Sequence, residues 1–232
     1  MGRRLRRGPP QVYEPAQDTA LLLGCARVRV GETALEIGAG RGDIALALAR
    51  KGARVTATDI SPAAVAVAAA RSQQEGLSVR FLVGDLFEPV AGQFDLVVFN
   101  PPYLPTTPED RVSGPLNAAF DGGPDGLAVT RRFLAGLPAH LTPGGRALTV
   151  VSSLSPEAAF AAAVPRGFRA RVIARARFAF EEIRVVELKA AAPRPRTTRT
   201  GGSRSPPGRR SGRSGSPPAR RKALRGRGPR AP

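Results

Sequence analysis

Short apolar runs alternate with helix-like stretches along most of this chain, and this alternation limits the folds that the chain can adopt. The predicted strands cover residues 33–37, 54–58, 78–83, 94–99, 147–152, 172–178 and 183–188. The predicted helices cover residues 16–28, 43–51, 62–75, 127–137 and 156–164. Uninterrupted apolar strands separated by helices indicate a parallel sheet that is covered on both faces. Because parallel crossovers are right-handed, we predict a doubly wound α/β domain with a seven-stranded sheet.

The basic residues of the chain are concentrated at its ends. Lys and Arg number 36 against 18 Asp and Glu, which gives a formal net charge of +18. Residues 190–232 contain 13 basic and no acidic residues, and residues 1–7 contain four arginines, so the region between them is nearly neutral. We therefore predict a basic flexible N-terminus over residues 1–11, a folded domain over 12–189, and a disordered Arg/Pro/Gly/Ser-rich tail over 190–232.

The scarcity of cysteine and histidine excludes several kinds of site. Cys25 is the single cysteine and His140 the single histidine, so an intramolecular disulfide and a multi-histidine metal site are both impossible. No apolar run approaches the ~20 residues that span a bilayer, and no secretory signal opens the chain. We predict a cytoplasmic protein without a metal cofactor, with Cys25 in the core and His140 just past a helix end, where it could interact with the last carbonyls.

A glycine-rich turn follows the first predicted strand. It covers residues 36–42, with the sequence EIGAGRG, and its glycines allow a sharp turn and the close approach of a ligand. The dinucleotide-binding fingerprint G-x-G-x-x-G fails here, because Asp43 stands where its third glycine would be. An acidic residue at a helix start would also repel a pyrophosphate. The turn therefore suits a ligand without phosphates.

Acidic residues stand at the ends of the first three predicted strands. They are Glu36, Asp59 (21 residues after Gly38) and Asp85. Ligands of this architecture bind outside the carboxyl ends of the strands, where these side chains would meet. A carboxylate at position 59 can accept hydrogen bonds from ribose hydroxyls, and Asp85 with the adjacent backbone can read an adenine edge. Each residue alone could be a cap or turn residue, but together they predict a nucleoside site.

The tetrapeptide Asn-Pro-Pro-Tyr follows the fourth predicted strand, at positions 100–103. Its prolines stiffen the loop and leave carbonyl groups free to accept hydrogen bonds, and Tyr103 offers a flat face to a planar group. The Asn100 side-chain oxygen and the Pro101 carbonyl could hold both hydrogens of a planar NH2 group. They would aim its nitrogen at an electrophilic carbon and stabilise the positive charge that develops on the nitrogen. A proline-rich turn without this role is the alternative interpretation.

Three segments in this order, LEIGAGRG (35–42), TATDIS (56–61) and VGDL (83–86), resemble the motifs of class I S-adenosylmethionine-dependent methyltransferases. The resemblance implies a Rossmann-like seven-stranded sheet with helices on both faces and S-adenosylmethionine as the methyl donor. Matched position by position, it assigns cofactor contacts to Thr19, Glu36, Gly38, Gly40, Asp59, Ile60, Asp85, Leu86 and Asn100.

The Asn-Pro-Pro-Tyr segment resembles the motif of amino-methyltransferases that act on adenine N6, guanine N2 or a glutamine amide. The segments VYEPAQDTALLL (12–23) and DGGPDGLAVTRRFL (121–134) resemble the release-factor glutamine methyltransferases of the HemK family. The first is most similar to their short archaeal and eukaryotic branch, although Gln17 replaces the usual Glu. The resemblance implies methylation of the Gly-Gly-Gln glutamine of a translation termination factor, often with a small activating partner subunit. It implies that the acceptor glutamine is held by Asn100, Pro101, Pro102 and Tyr103.

Two alternatives to a protein methyltransferase stay open. One is a nucleic-acid amino-methyltransferase, which the basic ends favour and the near-neutral body does not. The other is an RNA-binding module on an inactive methyltransferase, which would show damaged motifs. The basic tail itself is predicted either to contact RNA or the ribosome or to be dispensable. The glycine-rich residues 121–126 are predicted either as a flexible loop or as a movable cover over the substrate.

Overall fold

The protein is described by a computed structural model over residues 17–107, 121–178 and 180–191. Its strands are β1 (Thr33–Ile37), β2 (Arg54–Asp59), β3 (Val79–Val83), β4 (Phe94–Phe99), β5 (Leu141–Ser152), β6 (Phe168–Arg177) and β7 (Glu182–Ala190). Its helices are α1 (Gln17–Cys25), α2 (Asp43–Arg50), α3 (Pro62–Gln74), α4 (Ala128–Gly136) and α5 (Glu157–Ala163). Predictions for residues 1–16, the predicted N-terminal region included, and for 192–232 lie outside the described residues, and the three-region division stays a prediction.

All seven strands form one sheet in the order β3-β2-β1-β4-β5-β7-β6. Strands β1 to β5 pair in parallel, whereas β7 runs antiparallel to both β5 and β6. The prediction of a doubly wound, seven-stranded α/β sheet is confirmed. The antiparallel strand β7 makes it a mixed sheet, which the alternation of strands and helices does not by itself indicate. The four residues between β6 and β7 are too few for a crossover, so they can only reverse the chain.

Two buried clusters cover the two faces of the sheet. Alternate residues of β1 point to opposite faces, so Ala34 belongs to one cluster and Leu35 to the other. The first cluster is covered by α1 and α2 through residues such as Leu22 and Ile44, and the second by α4 and α5 through Phe133 and Phe160. The sheet is therefore doubly covered, as the alternation of elements predicts.

Local sequence signals explain where the helices next to the site begin. Gly42 precedes α2 in the left-handed conformation (φ +83), and Asp43 stands in the first turn of that helix. Before α3, the hydroxyl of Ser61 accepts a hydrogen bond from the backbone N–H of Ala64 at 3.3 Å, and Pro62 takes the first helical position. Both helices therefore start directly at the carboxyl edge of the sheet.

Three local expectations differ in part from the structure. The fifth strand begins at Leu141, six residues earlier than predicted. Residues 142–145 have a turn-like sequence, but they lie within the strand as an irregularity between the pairs Phe94–Leu141 and Leu96–Arg146. His140 does interact with a carbonyl at a helix end, but through its backbone N–H, which donates to the Leu137 carbonyl oxygen at 3.0 Å. Its ring lies elsewhere: Nδ1 contacts the Gly92 carbonyl oxygen at 3.1 Å, and the ring stacks on Phe87. The first helix ends at Cys25 rather than at residue 28, with Cys25 partly buried against the core.

Candidate active site

The turn after β1 is bonded to the turn after β2. Gly38 and Gly40 both have positive φ angles (+66 and +52), a backbone conformation that residues other than glycine rarely adopt. The backbone N–H of Gly40 donates to Asp59 Oδ2, and that of Ser61 donates to Asp59 Oδ1, both at 2.8 Å. The Asp59 carboxylate thus joins the glycine turn to the start of α3. Each of its oxygens keeps a further lone pair for a ligand hydroxyl.

The far end of the glycine turn is bonded to α3. Arg71 donates through one guanidinium nitrogen to the Arg41 carbonyl oxygen at 2.7 Å and to Asp43 Oδ1 at 2.8 Å. A Cβ on Gly42 would lie 3.1 Å from the Ala68 Cβ, so this glycine lets the turn approach the helix closely. The charge of Asp43 is therefore neutralised by Arg71. The sequence argument that Asp43 would repel a pyrophosphate did not include this ion pair.

Glu36 is a buried carboxyl group beneath the glycine turn. It is 4% exposed, and its Oε2 accepts a hydrogen bond from the Ala45 backbone N–H at 2.7 Å. Burial raises the pKa of Glu36 well above its usual range, and repulsion from Asp43 and Asp59 raises it further, against the lowering effect of the Ala45 hydrogen bond. A proton on Glu36 therefore stabilises the folded chain.

This raised pKa predicts a pH dependence of stability. A group whose pKa is higher in the folded state contributes stability below its unfolded pKa and loses that contribution as the pH rises through the folded pKa. We expect the free energy of unfolding of the ligand-free protein to fall with pH above the ordinary glutamate range. In Glu36→Gln the fall should be shallower, since glutamine keeps the acceptor for Ala45 and cannot ionise. Urea unfolding from pH 5 to pH 9 measures this, and parallel curves for the two proteins would contradict it.

The turn after β3 holds the one non-glycine residue with positive φ among the described residues, Leu86 (φ +49). The Thr58 hydroxyl donates to the Leu86 carbonyl oxygen at 3.1 Å and holds this turn against β2. Such strained backbone often marks a functional site. Next to it, Asp85 Oδ2 accepts from Arg132 Nη2 at 2.6 Å. The sequence argument did not anticipate this ion pair, which leaves the second Asp85 oxygen for a ligand.

Asn100 lies at the carboxyl end of β4, and its amide is held from one side. Its Nδ2 donates to Asp18 Oδ2 at 3.1 Å and to the Thr19 hydroxyl at 3.2 Å. Its Oδ1 is buried and accepts no hydrogen bond from the residues that the structure describes. A buried acceptor without a partner is costly, and this one lies at the carboxyl end of a strand, where ligands of this architecture bind, so it fits a ligand that supplies the missing donor.

Asp18 is a site residue that the sequence argument missed. It was assigned as a helix-capping type, yet it is 4% exposed and accepts a hydrogen bond from the Tyr103 hydroxyl at 2.9 Å as well as from Asn100. Helix α1 therefore supplies both Asp18 and the predicted site residue Thr19 to the loop after β4. The position of Asp18 beside Thr19 in the family-like segment 12–23 was the available signal.

Residues 121–128 support the Asn-Pro-Pro-Tyr loop from below. Gly122 donates to the Leu104 carbonyl oxygen at 2.9 Å, and Thr106 donates to that of Gly123 at 3.0 Å. Gly122, Gly123 and Gly126 are buried, and Gly126 packs against the Tyr103 carbonyl group. Residues 121–126 thus form a loop before α4, as one of the two alternatives predicts, and the movable cover stays a prediction.

The predicted site residues come together along one edge of the sheet. Asp59 is bonded to Gly40, Thr58 ties the Leu86 turn to β2, and Asn100 is bonded to Thr19. A Cβ on Gly40 would meet no atom within 4 Å, so there is open space above the glycine turn, and Ile60 beside Asp59 is 57% exposed. Open space, an apolar surface and free carboxylate lone pairs fit a nucleoside-bearing cofactor. No group of three or more His, Cys, Asp or Glu that could hold a metal ion occurs within residues 17–107, 121–178 and 180–191.

Comparisons with known proteins show which family the chain resembles. The methyltransferase small domain family matches residues 14–112. A putative protein N5-glutamine methyltransferase of Methanocaldococcus jannaschii is 41% identical over 179 residues, covering 76% of this chain and 91% of that protein. A release factor glutamine methyltransferase of Geobacter sulfurreducens is 42% identical over 147 residues, covering 59% of this chain and 51% of that protein. The chain thus spans about half the length of the bacterial enzyme and nearly all of the archaeal one.

A solved structure agrees with the fold. The E. cuniculi Mtq2-Trm112 complex, described as responsible for methylation of the eRF1 translation termination factor, contains a chain that superposes with a TM-score of 0.61. That chain is 24% identical, and the match covers 78% of this chain and 99% of that one. No described helix is long and apolar enough to cross a membrane.

Proposed function

The chain belongs to the protein N5-glutamine methyltransferases, and from this premise we propose that it methylates the side-chain amide of a glutamine in a translation termination factor, with S-adenosylmethionine as the donor. The observation that carries the proposal is the buried, unpartnered Asn100 Oδ1 at the carboxyl end of β4. A primary amide NH2 supplies the donor that this oxygen lacks. We propose the Gly-Gly-Gln glutamine as the acceptor.

We propose that the acceptor nitrogen is held by two oxygens of the loop. The Asn100 Oδ1 accepts one N–H and the Pro101 carbonyl oxygen accepts the other, while the ring of Tyr103 lies against the planar amide. An amide lone pair is delocalised and reacts poorly. Two acceptors that fix its hydrogens orient the nitrogen and stabilise the positive charge that develops as it is alkylated.

The edge that carries Gly40, Asp59 and Ile60 fits the nucleoside of the donor, as the open space and the free carboxylate lone pairs support. When bound, S-adenosylmethionine supplies an electrophilic methyl carbon on a sulfonium. In the proposed reaction the amide nitrogen would form the new N–C bond as the S–C bond of the donor breaks. Asn100 Oδ1 and the Pro101 carbonyl oxygen each hold one of the two N–H groups, which become more acidic as the nitrogen gains positive charge. One of the two protons would then pass to water, so no strong base is required.

A labelled-methyl transfer assay tests this function. The purified protein, with labelled S-adenosylmethionine, is offered a termination factor, the same factor with its Gly-Gly-Gln glutamine replaced by alanine, and, separately, adenine-rich DNA and RNA. We expect label on the intact factor alone, with mass spectrometry placing it on the glutamine. Label on nucleic acid alone would replace the proposal with a nucleic-acid amino-methyltransferase.

We further propose that a small partner subunit supports activity, as the short branch of the family implies, and that the enzyme works in the cytoplasm, where translation takes place. The assay is therefore run with and without a candidate partner. The Arg-rich segment after residue 191 lies outside the described residues, and its contact with RNA or the ribosome stays a prediction.

Replacement of Asp59 should weaken binding of the donor. Asp59→Ala removes the carboxylate that we assign to the ribose hydroxyls and also releases the Gly40 and Ser61 backbone groups. Hydrogen bonds to a charged group are worth about 1.5–3 kcal/mol each, so we expect the Kd for S-adenosylmethionine to rise roughly 100-fold. Isothermal titration calorimetry measures it.

Asp95→Ala is the matched control for Asp59→Ala. Asp95 also accepts from a backbone N–H and from hydroxyls, those of Thr33 and Thr142, but it lies near the start of β4 at the opposite edge of the sheet. The variant Asp95→Ala should lower the free energy of unfolding without changing the Kd for S-adenosylmethionine. Equal Kd values for the two variants would remove Asp59 from the donor site.

A further inference from the structure

A buried carboxylate lies directly behind the acceptor loop. Asp18 Oδ2 accepts from Asn100 Nδ2 at 3.1 Å and from the Tyr103 hydroxyl at 2.9 Å, while its Oδ1 accepts from the Thr19 backbone N–H at 2.6 Å. Each carboxylate oxygen therefore faces at least one donor. An ionised carboxylate has no hydrogen to offer in return, so its neighbours must turn their donors toward it.

This constraint decides which way the Asn100 amide points. An asparagine side chain can be turned by 180° with almost no change of shape, so its hydrogen-bond partners choose between the two orientations. Turning Asn100 would set its carbonyl oxygen against Asp18 Oδ2, and oxygen–oxygen repulsion is strong in a buried, weakly polar environment. The Thr19 hydroxyl donates to Asp18 Oδ1 at 3.4 Å and so serves Asn100 as an acceptor, which favours the same orientation.

We infer that Asp18 is a positioning residue that keeps the Asn100 carbonyl oxygen turned toward the acceptor and holds the Tyr103 ring beside it. The inference rests on the proposed function, because the free Asn100 Oδ1 is the oxygen that we assign to the glutamine NH2. Asp18 makes no contact of its own with the acceptor and acts through Asn100 and Tyr103. It thereby selects acceptors that bring N–H donors rather than acceptor groups to the loop.

The variant Asp18→Asn tests this with a minimal change of shape. Both carboxylate positions face donors, and asparagine has one acceptor oxygen, so its NH2 must oppose a donor in either orientation. The donor that faces Oδ1 is the fixed backbone N–H of Thr19, whereas the Asn100 amide can rotate, so the NH2 takes the position of Oδ2. Asn100 then turns by 180° and withdraws its Oδ1 from the acceptor. We expect kcat for glutamine methylation to fall at least about tenfold, as removing one positioning contact commonly does, with the Kd for S-adenosylmethionine unchanged.

A spectroscopic readout separates positioning from a general loss of structure. The chain contains two asparagines, Asn100 and Asn117, so selective 15N labelling gives two side-chain amide signals, which the variant Asn117→Gln assigns. In the wild-type protein we expect the Asn100 amide hydrogens to exchange slowly with solvent, because they are bonded to Asp18 and Thr19. The variants Asp18→Asn and Asp95→Asn each add a third side-chain amide signal, which is absent from the wild-type spectrum. In Asp18→Asn the Asn100 amide hydrogens should exchange faster and their signal should shift, while Asp95→Asn should leave the Asn100 signal and kcat unchanged.

Two results would overturn the inference: an unchanged Asn100 amide signal in Asp18→Asn, or a kcat equal to that of the wild type. A fall of kcat in Asp95→Asn equal to that in Asp18→Asn would assign the effect to stability and overturn it as well. If the wild-type protein methylates no glutamine, the proposed function fails, and the amide signal still decides the orientation of Asn100.

Discussion

The variant Asn100→Ala should lose methyl transfer almost completely while it still binds the donor. It removes the Oδ1 acceptor that we assign to the glutamine NH2, and the loss of one such preorganised group costs about 10²–10³ in kcat. It also leaves Asp18 without one donor, so a modest loss of stability is expected. Initial rates and calorimetry at a temperature well below the unfolding midpoint measure the two effects separately.

Thr149→Val is the matched control for Asn100→Ala. Thr149 is fully buried in β5, opposite Phe99, and its hydroxyl also has no hydrogen-bond partner in the structure. Valine has nearly the same shape, so kcat should be unchanged and stability unchanged or slightly higher. If the kcat of Asn100→Ala were equal to that of Thr149→Val, Asn100 would have no part in the transfer.

The variant Gly126→Ala should damage the acceptor loop without touching a reacting group. Gly126 has a φ of +73, and a Cβ there would collide with the Tyr103 carbonyl oxygen and lie 2.7 Å from Ser155 Oγ. The loop must move to make room, and a displacement of about 1 Å near the reacting atoms can cost about 100-fold in rate. We expect a loss of kcat of this order, with stability lower by about 1–3 kcal/mol from overpacking.

Gly144→Ala isolates the backbone cost of that substitution. Gly144 has a φ of +84, but a Cβ there would meet no atom within 4 Å, and the residue lies in the register shift of β5. It should lose about 1 kcal/mol of stability, as expected for alanine at positive φ, and keep its activity. Equal activities for Gly126→Ala and Gly144→Ala would show that contact with the Tyr103 carbonyl does not matter for catalysis.

Features that depend on local sequence were predictable. The bounds of β1 and β4 match the prediction, because short, mainly apolar runs between turn residues determine them. The cap of α3 matches as well, since Ser61 and Pro62 act on adjacent backbone groups. The placement of Asp59 beside the glycine turn followed from the architecture, in which the carboxyl ends of neighbouring parallel strands meet.

Features that depend on distant partners were not predictable from these patterns. Asp18 was assigned as a capping residue because its neighbours in sequence suggest a helix start, whereas its site partners are 82 and 85 residues away. The ion pair between Asp85 and Arg132 joins residues 47 apart, and neither periodicity nor composition carries such information. The direction of β7 depends on the length of the turn before it, which propensities locate only approximately.

The hydrogen bonds of Asp18 with Asn100 and Tyr103 also affect the order in which parts of the chain can fold during synthesis. Helix α1 leaves the ribosome early, but Asn100 follows Asp18 by 82 residues, roughly 4–16 s later at about 5–20 residues per second. Until then the buried carboxylate of Asp18 lacks these two donors, so α1 gains little by docking. The proposed acceptor loop therefore cannot take its position before β4 is synthesised, and a nascent chain interrupted before β4 carries the segments proposed to bind the donor without the loop proposed to hold the acceptor.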